Sequence, residues 1–523
     1  MARLFSGNVT DTTASDQLQQ IKNGYTFDGE AVQLGAAVID DTAHADAPVR
    51  LPIAMMNRHG LVAGATGTGK TKTLQLMAEQ LSAAGVPVFL ADVKGDVSGI
   101  ASPGEDGDKI EARAKDVGQQ WVATGFPTEF LSLGGQGKGV PVRATITSFG
   151  PTLLSKVLGL NDTQESSLGL VFHYADKRGL SLLDLKDLTA VIKFLTSDEG
   201  KEDLKGLGGL SASTAGVILR NLVAFSDQGA DTFFGEPEFE TSDLTRTTDD
   251  GKGVITCLEL PGVQDKPALF STFLMWLLAD LFHELPEVGD ADKPKLVFFF
   301  DEAHLLFNDA SDAFLQSIEQ TVKLIRSKGV GIFFVTQTPK DVPNDVLSQL
   351  GNRVQHALRA FTPDDAKALK ATVRTFPTSG YDLDKLLTSL GIGEAVVTVL
   401  SEKGAPTPVA WTRMRAPLSL MAPSPEATID GIIAKSPLEP KYSKAVDRES
   451  AYEMLNKKLA RAGEEDDKAA AKAPQKAQAT TKDDPSVVEQ VVKSSAFKSL
   501  LRSAGTVVGR EITRSIFGVA KRR

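Results

Sequence analysis

The octapeptide Gly64-Ala65-Thr66-Gly67-Thr68-Gly69-Lys70-Thr71 constrains this chain more than any other feature. It fills every fixed position of the G-x-x-x-x-G-K-[ST] phosphate-binding loop. Such a loop works in one setting. A buried strand leads in and a helix leads out, so that loop N–H groups and the helix dipole face the same anion. Both flanks are present: Leu61-Val62-Ala63 reads as a strand, and an amphipathic helix is expected over residues 70–81. The glycines let the backbone curl around phosphate oxygens. Lys70 offsets β/γ-phosphate charge, and Thr71 can ligate Mg²⁺. The cradle is expected to span Gly64 to Lys72, with ATP and Mg²⁺ as ligands.

The pattern around this loop is α/β. Short apolar runs at 61–63, 86–91, 254–260, 296–300, 332–336, 354–358 and 395–400 alternate with helical stretches, as in a parallel sheet covered on both faces. Residues 409–414 can pair with the last run as a hairpin. The expected division is a small strand-rich region (1–50), an ATPase domain in two parts (51–150 and 245–420), and an all-helical insertion (151–244). A helical extension (421–460), a flexible linker (461–485) and a basic amphipathic tail (486–523) follow. The insertion is expected because Leu153-Leu154, Val157-Leu158, Leu168, Val171-Phe172, Leu188 and Val191-Ile192 recur at helical spacing. The linker has no large apolar residue to offset its ordering entropy.

Two strand ends carry further chemistry. Lys295-Leu296-Val297-Phe298-Phe299-Phe300-Asp301-Glu302 is a buried strand closing on two carboxylates. Asp301 is the expected Mg²⁺ ligand and Glu302 the general base for the attacking water. His304 follows as a weaker candidate. Ile332 to Thr336 ends on Gln337, an amide expected to sense the γ-phosphate. Arg326 and Arg353 flank that strand, and either could supply a charge to a neighbouring subunit's nucleotide. Arg143 and Arg359 are weaker candidates. Asp92, ending the 86–91 run, either contacts the Mg²⁺ site or caps a turn.

Composition narrows the alternatives. The 523-residue chain holds one cysteine, Cys257, so internal disulfides and cysteine-based zinc clusters are excluded. Its net charge of −10 argues against general coating of polyanions, so any nucleic-acid contact must be local. The apolar run 268–279 is well short of the roughly 20 residues of a membrane span. With no signal sequence evident, a cytoplasmic location is expected. Residues 486–523 hold eight basic and two acidic residues. This tail could pack on the protein, lie on an anionic membrane, or bind nucleic acid.

Together, Gly64 to Thr71, Asp92-Val93-Lys94-Gly95-Asp96, Phe234-Gly235-Glu236-Pro237-Glu238-Phe239, Phe300 to His304, Thr336-Gln337 and Asn352-Arg353 resemble the HerA/FtsK superfamily of hexameric P-loop motors. The nearest likeness is to bacterial HerA-like proteins of the YjgR type. The resemblance implies a RecA-like ASCE sheet with an extra strand between the two nucleotide-binding strands. It also implies a homo-oligomeric ring, most simply a hexamer, with nucleotide at subunit interfaces. DNA is the implied polymer, and a nuclease is a possible partner. A motor that remodels or secretes protein is the alternative. A small-molecule kinase fits less well, because Glu302 is a hydrolytic feature and no compact acceptor lid is evident.

Overall fold

A computed structural model of the chain describes residues 14–204, 208–260, 267–289, 291–307 and 312–458. The linker and the basic tail read from the sequence lie outside these residues.

The strands are β1 (Ala31–Ile39), β2 (Thr42–Pro52), β3 (Gly60–Ala63), β4 (Val88–Asp92), β5 (Thr128–Leu133) and β6 (Val140–Val142). They continue with β7 (Ile255–Glu259), β8 (Leu296–Phe300), β9 (Val330–Thr336), β10 (Asn352–Gln355), β11 (Glu394–Thr398) and β12 (Ala410–Met414). All belong to one sheet, in the order β2-β1-β12-β11-β10-β3-β9-β8-β4-β7-β5-β6. From β10 to β6 the pairing is parallel. An antiparallel flank, β11, β12, β1 and β2, extends the other side. The expected 409–414 hairpin is the β11–β12 pair. The N-terminal hairpin β1–β2 joins the main sheet through β12, after a first helix, α1 (Ala14–Gly24).

Strand β9 lies between β3 and β8, the extra-strand arrangement that the family resemblance implied. Register makes the central strands end level: Ala63 pairs with Thr336, and Phe300 with Phe334 and Ala91. All their carboxyl ends therefore open on one edge, where ligands bind in open α/β sheets.

Alternation within each strand divides the core. Phe298 and Phe300 pack into the layer that holds the insertion helices, while Val297 and Phe299 pack with the P-loop helix α2 (Lys70–Ala83). Ring contacts run across the strands, with Phe89–Phe298 at 5.0 Å, Phe299–Phe333 at 5.3 Å and Phe300–Phe334 at 5.8 Å. Each such pair contributes about 0.5–1.5 kcal/mol beyond burial.

The insertion is helical, with helices at Pro151–Val157, Asp162–Lys177, Leu185–Thr196, Asp198–Asp203 and Ala212–Asp227. Capping boxes start two of them, Asn161 with Gln164 and Asp184 with Asp187. Asp187 is fully buried, and its other oxygen accepts from the Ser450 hydroxyl and the Tyr452 amide, which docks the C-terminal helical segment onto the insertion.

Strands β5 and β6 depart from the expectation. In β5, Glu129 breaks the apolar run that marks a buried strand, and its Oε2 pairs with Arg246 at 2.7 Å. That partner lies 117 residues away, so a buried ion pair supplies what local sequence does not show. Among the described residues no helix is long and apolar enough to cross a membrane.

Candidate functional site

The loop between β3 and α2 has the backbone its glycines permit. Gly67 has φ 80° and Gly69 φ 112°, both in the left-handed region, and Gly69 is the N-cap of α2. Gly64 meets a second constraint, since a Cβ there would lie 2.5 Å from the His356 Cβ. The loop is pinned on both sides. The Gly64 amide donates to the Thr336 carbonyl at 3.2 Å and the Ala65 amide to Ala357 at 2.8 Å. The Gly393 amide donates to the Thr68 carbonyl at 3.0 Å. The first-turn amides of α2 have no partner inside the helix and face the loop.

Lys70 is buried and donates to the Ala65 carbonyl at 3.2 Å. Burial lowers its pKa, against the nearby charges of Glu302 and Asp301, which raise it. Lys72 behaves differently from the expectation that it binds phosphate. Its ammonium bonds the Met421 carbonyl at 2.5 Å and the Gln75 side chain at 3.2 Å, so its side chain serves the protein and not the cradle.

Asp301 and Glu302 follow β8 and stand level with the end of β9. Both are buried. Asp301 Oδ2 has no hydrogen-bond partner among the described residues. Its pKa is pushed up to about 7, first by burial and then by the Glu302 charge. An orphaned buried carboxylate oxygen near Lys70, together with a hydroxyl residue, Thr71, in the first turn of α2, fits a Mg²⁺ ion held also by phosphate. That cation would screen charge on the transferring phosphoryl group.

Glu302 has φ 47°, a left-handed backbone that a non-glycine residue adopts at a cost of roughly 1–3 kcal/mol. Such strain fixes the direction of a side chain. Lys94 forms an ion pair with Oε1, and His304 Nδ1 lies 3.2 Å from Oε2. Burial works to raise the Glu302 pKa, but the Lys94 hydrogen bond and charge, with His304 and Lys70, hold it below the usual carboxylate range. Gln337 is exposed one residue past β9, between the P-loop strand and the Asp301-Glu302 turn. That is where an amide can meet a terminal phosphate.

The arginines divide. Arg326 lies on a turn just before β9, at the opposite edge of the sheet from the P-loop. The seven residues of β9 separate it from that edge by ~20 Å. Arg353 pairs with Leu61 in the amino half of β10 and donates to the Leu350 carbonyl at 3.5 Å. Neither reaches its own nucleotide site, so a role for either requires a second subunit. Arg359, weak on sequence grounds, reaches the P-loop and donates to the Thr66 carbonyl at 3.4 Å. Arg143 bonds the Tyr442 carbonyl and braces the C-terminal segment.

Asp92 caps a turn. Its carboxylate accepts from the amides of Gly95 at 2.7 Å, Asp96 at 3.3 Å and Val97 at 2.8 Å. Two features escaped the sequence. One is Lys94. The other is the segment 418–421, which lies on the outer face of α2. There Glu79 accepts from the Leu418 and Ser419 amides at 2.8 and 2.9 Å, and Gln75 donates to the Leu420 carbonyl at 2.8 Å. Lys72, Gln75 and Glu79 share that face at helical spacing, but their partners are about 340 residues away.

His356 supports the loop from below. It is fully buried, with Nε2 2.9 Å from the Thr73 hydroxyl and Nδ1 2.8 Å from the Glu394 carbonyl. Burial lowers its pKa to about 4, so it is neutral. A depressed imidazole pKa gives stability that is present above the ordinary value near 6.5 and lost as pH falls toward 4, because the unfolded chain then binds more protons. Raised carboxylates run the other way, Glu259 at about 8 and Asp301 at about 7. They cancel in a comparison with His356→Gln. The melting advantage of the native protein over this variant is expected to shrink as pH falls from 6.5 toward 4, by up to ~3 kcal/mol once the imidazole is fully protonated. An advantage independent of pH contradicts a neutral buried imidazole.

Known proteins bear on this geometry. The sequence profile of the family described as "Helicase HerA-like C-terminal" matches residues 38–523. The DNA double-strand break repair helicase HerA of Saccharolobus solfataricus is 20% identical over 380 residues, covering 72% of this chain and 68% of that protein. The probable DNA double-strand break repair helicase HerA of Methanocaldococcus jannaschii is 37% identical over 107 residues, 20% of each chain. Among solved structures, the plasmid coupling protein TrwB bound to a non-hydrolysable ATP analogue superposes with TM-score 0.53 at 15% identity, covering 78% of this chain and 94% of that one. The complex of TrwB with ADP and Mg²⁺ gives 0.52 at 16% identity, over 77% and 94%. The loop, the paired carboxylates and the family match over nearly the whole chain agree: this chain belongs to the HerA-like helicase C-terminal family and is a RecA-like P-loop ATPase.

Proposed function

We propose that this chain is the subunit of a ring-shaped, Mg²⁺-dependent ATP-hydrolysing motor that moves along DNA. The observation that carries the reading is the alignment of three strand ends on one sheet edge. The P-loop after β3, Gln337 after β9 and Asp301-Glu302 after β8 stand side by side. Phosphate cradle, γ-phosphate reporter, metal ligand and water-activating base then act on one nucleotide. Lys70 and the loop amides bind the phosphates. Thr71 and Asp301 hold the cation, and Glu302 takes the proton of the attacking water.

Oligomerisation follows from the arginines. The cationic groups acting on Glu302 from its own chain are Lys94, His304 and Lys70, while Arg326 lies on a turn at the far edge of the same sheet. A neighbour's Arg326, with Arg353 as second choice, completes the site in trans. DNA is favoured because the matched relatives carry names of DNA repair helicases. A motor acting on protein is the second reading, favoured by the acidic net charge of −10. A nuclease partner and a DNA-, membrane- or ring-binding tail belong to the same proposal, as does a cytoplasmic location. The test is ATP turnover with and without double-stranded DNA: stimulation supports the DNA motor, and indifference to DNA shifts the substrate to protein.

A further inference from the structure

Lys94 stands on a rigid mount. The Asp92 carboxylate gathers the amides of Gly95, Asp96 and Val97, and Asp92 itself is fully buried. Strand β4 lies next to β8, with Ala91 level with Phe300, so the residues just past both ends face each other. Lys94 thereby meets Glu302 across the gap and forms the ion pair with its Oε1. His304 Nδ1, 3.2 Å away, stands over Oε2. A base needs a lone pair free for the proton it takes. The ammonium engages Oε1 and holds the carboxylate by that ion pair, while Oε2, beside the imidazole, has no hydrogen-bond partner among the described residues.

The lysine, and not the glutamate, is built to move. Glu302 is buried and fixed by its left-handed backbone. The Lys94 side chain is 43% exposed on the crevice. A second acceptor lies two residues along: Asp96 Oδ1 is buried and has no hydrogen-bond partner among the described residues. Lys94 therefore has two anionic seats, Glu302 and Asp96, at the mouth of the nucleotide site.

We infer that Lys94 is a positioning residue that restrains Glu302 in the resting chain, and that its transfer to the Asp96 seat frees the base for hydrolysis. This rests on the ATPase reading above. The arriving triphosphate disturbs the balance, because its negative charge draws cations from the carboxylates. Lys94 adds no new chemistry. It sets the fraction of time Glu302 is available, and so acts on kcat and not on ATP binding.

The test is steady-state ATP hydrolysis without polymer by Lys94→Met and Lys94→Arg, with melting curves to confirm folding. Methionine keeps the length and removes the charge. Breaking one charge-assisted hydrogen bond is expected to raise basal kcat about tenfold with little change in KM. Arginine retains the charge and is expected to keep the low rate. The Lys94→Met, Glu302→Gln double variant is expected to stay at background, placing the gain in Glu302. An unchanged or lowered kcat in Lys94→Met overturns the restraint. A raised KM for ATP also overturns it, since Lys94 is then a nucleotide ligand. If the unaltered chain itself hydrolyses no ATP, the ATPase reading falls and the restraint with it; an active chain with unchanged Lys94→Met kinetics removes the restraint alone.

Discussion

Lys70→Ala is expected to bring ATP hydrolysis to background while leaving the melting temperature within a few degrees of the native value. The substitution removes the ammonium from the cradle but keeps Gly64, Gly67 and Gly69, whose backbone shapes the loop. Little stability is at stake, because the lysine pays for its own burial: desolvation already lowers its pKa, and among the described residues its hydrogen-bond partner is the Ala65 carbonyl at 3.2 Å. The lost function is larger. Phosphoryl transfer relies on positioning and on charge neutralisation at the β/γ-phosphates, and Lys70 is the cation of the loop. Hydrolysis by pure, folded Lys70→Ala protein contradicts the assignment of the cradle.

The second large effect crosses the subunit boundary. An arginine supplied to a neighbour's nucleotide is worth about 10³–10⁵ in rate. Arg326→Ala is expected to lose turnover on that scale while ATP still binds. An arginine ~20 Å from its own site by strand length cannot act there, so the loss must be repairable from outside. Arg326→Ala subunits keep an intact P-loop, and Lys70→Ala subunits keep an intact arginine. Rings containing both are expected to regain activity at the interfaces that join the two. No recovery in rings proven to be mixed counts against Arg326 and passes the role to Arg353.

Much of the site was legible because its signals are local. The spacing of Gly64, Gly69, Lys70 and Thr71 and the apolar run ending at Asp301-Glu302 are each contained in a single strand–turn–helix passage, and the structure sets them on one edge. Gln337 follows the same logic. What escaped depends on distant partners. Lys94 looked like one charged residue in a turn, and its meaning appears only when β4 settles beside β8. Lys72 looked like the next residue of the cradle, yet it is drawn to Met421 by a segment 349 residues away. His356 carried no motif; burial under Gly64 gives it its place. The same holds for the fold. Strands with continuous apolar runs were found near their observed positions, whereas β5 was hidden by Glu129 and its remote Arg246.

The central claim is that these residues form a hydrolytic motor site driven by ATP. The most direct measurement is steady-state ATP turnover by the purified chain, with Mg²⁺, against linear double-stranded DNA of increasing length, with Lys70→Ala as the blank. The expected result is Mg²⁺-dependent hydrolysis that DNA stimulates, more strongly with longer duplexes because each encounter supports more steps. Absence of Mg²⁺-dependent hydrolysis above the Lys70→Ala blank, in protein that binds ATP and is shown to be assembled, contradicts the account.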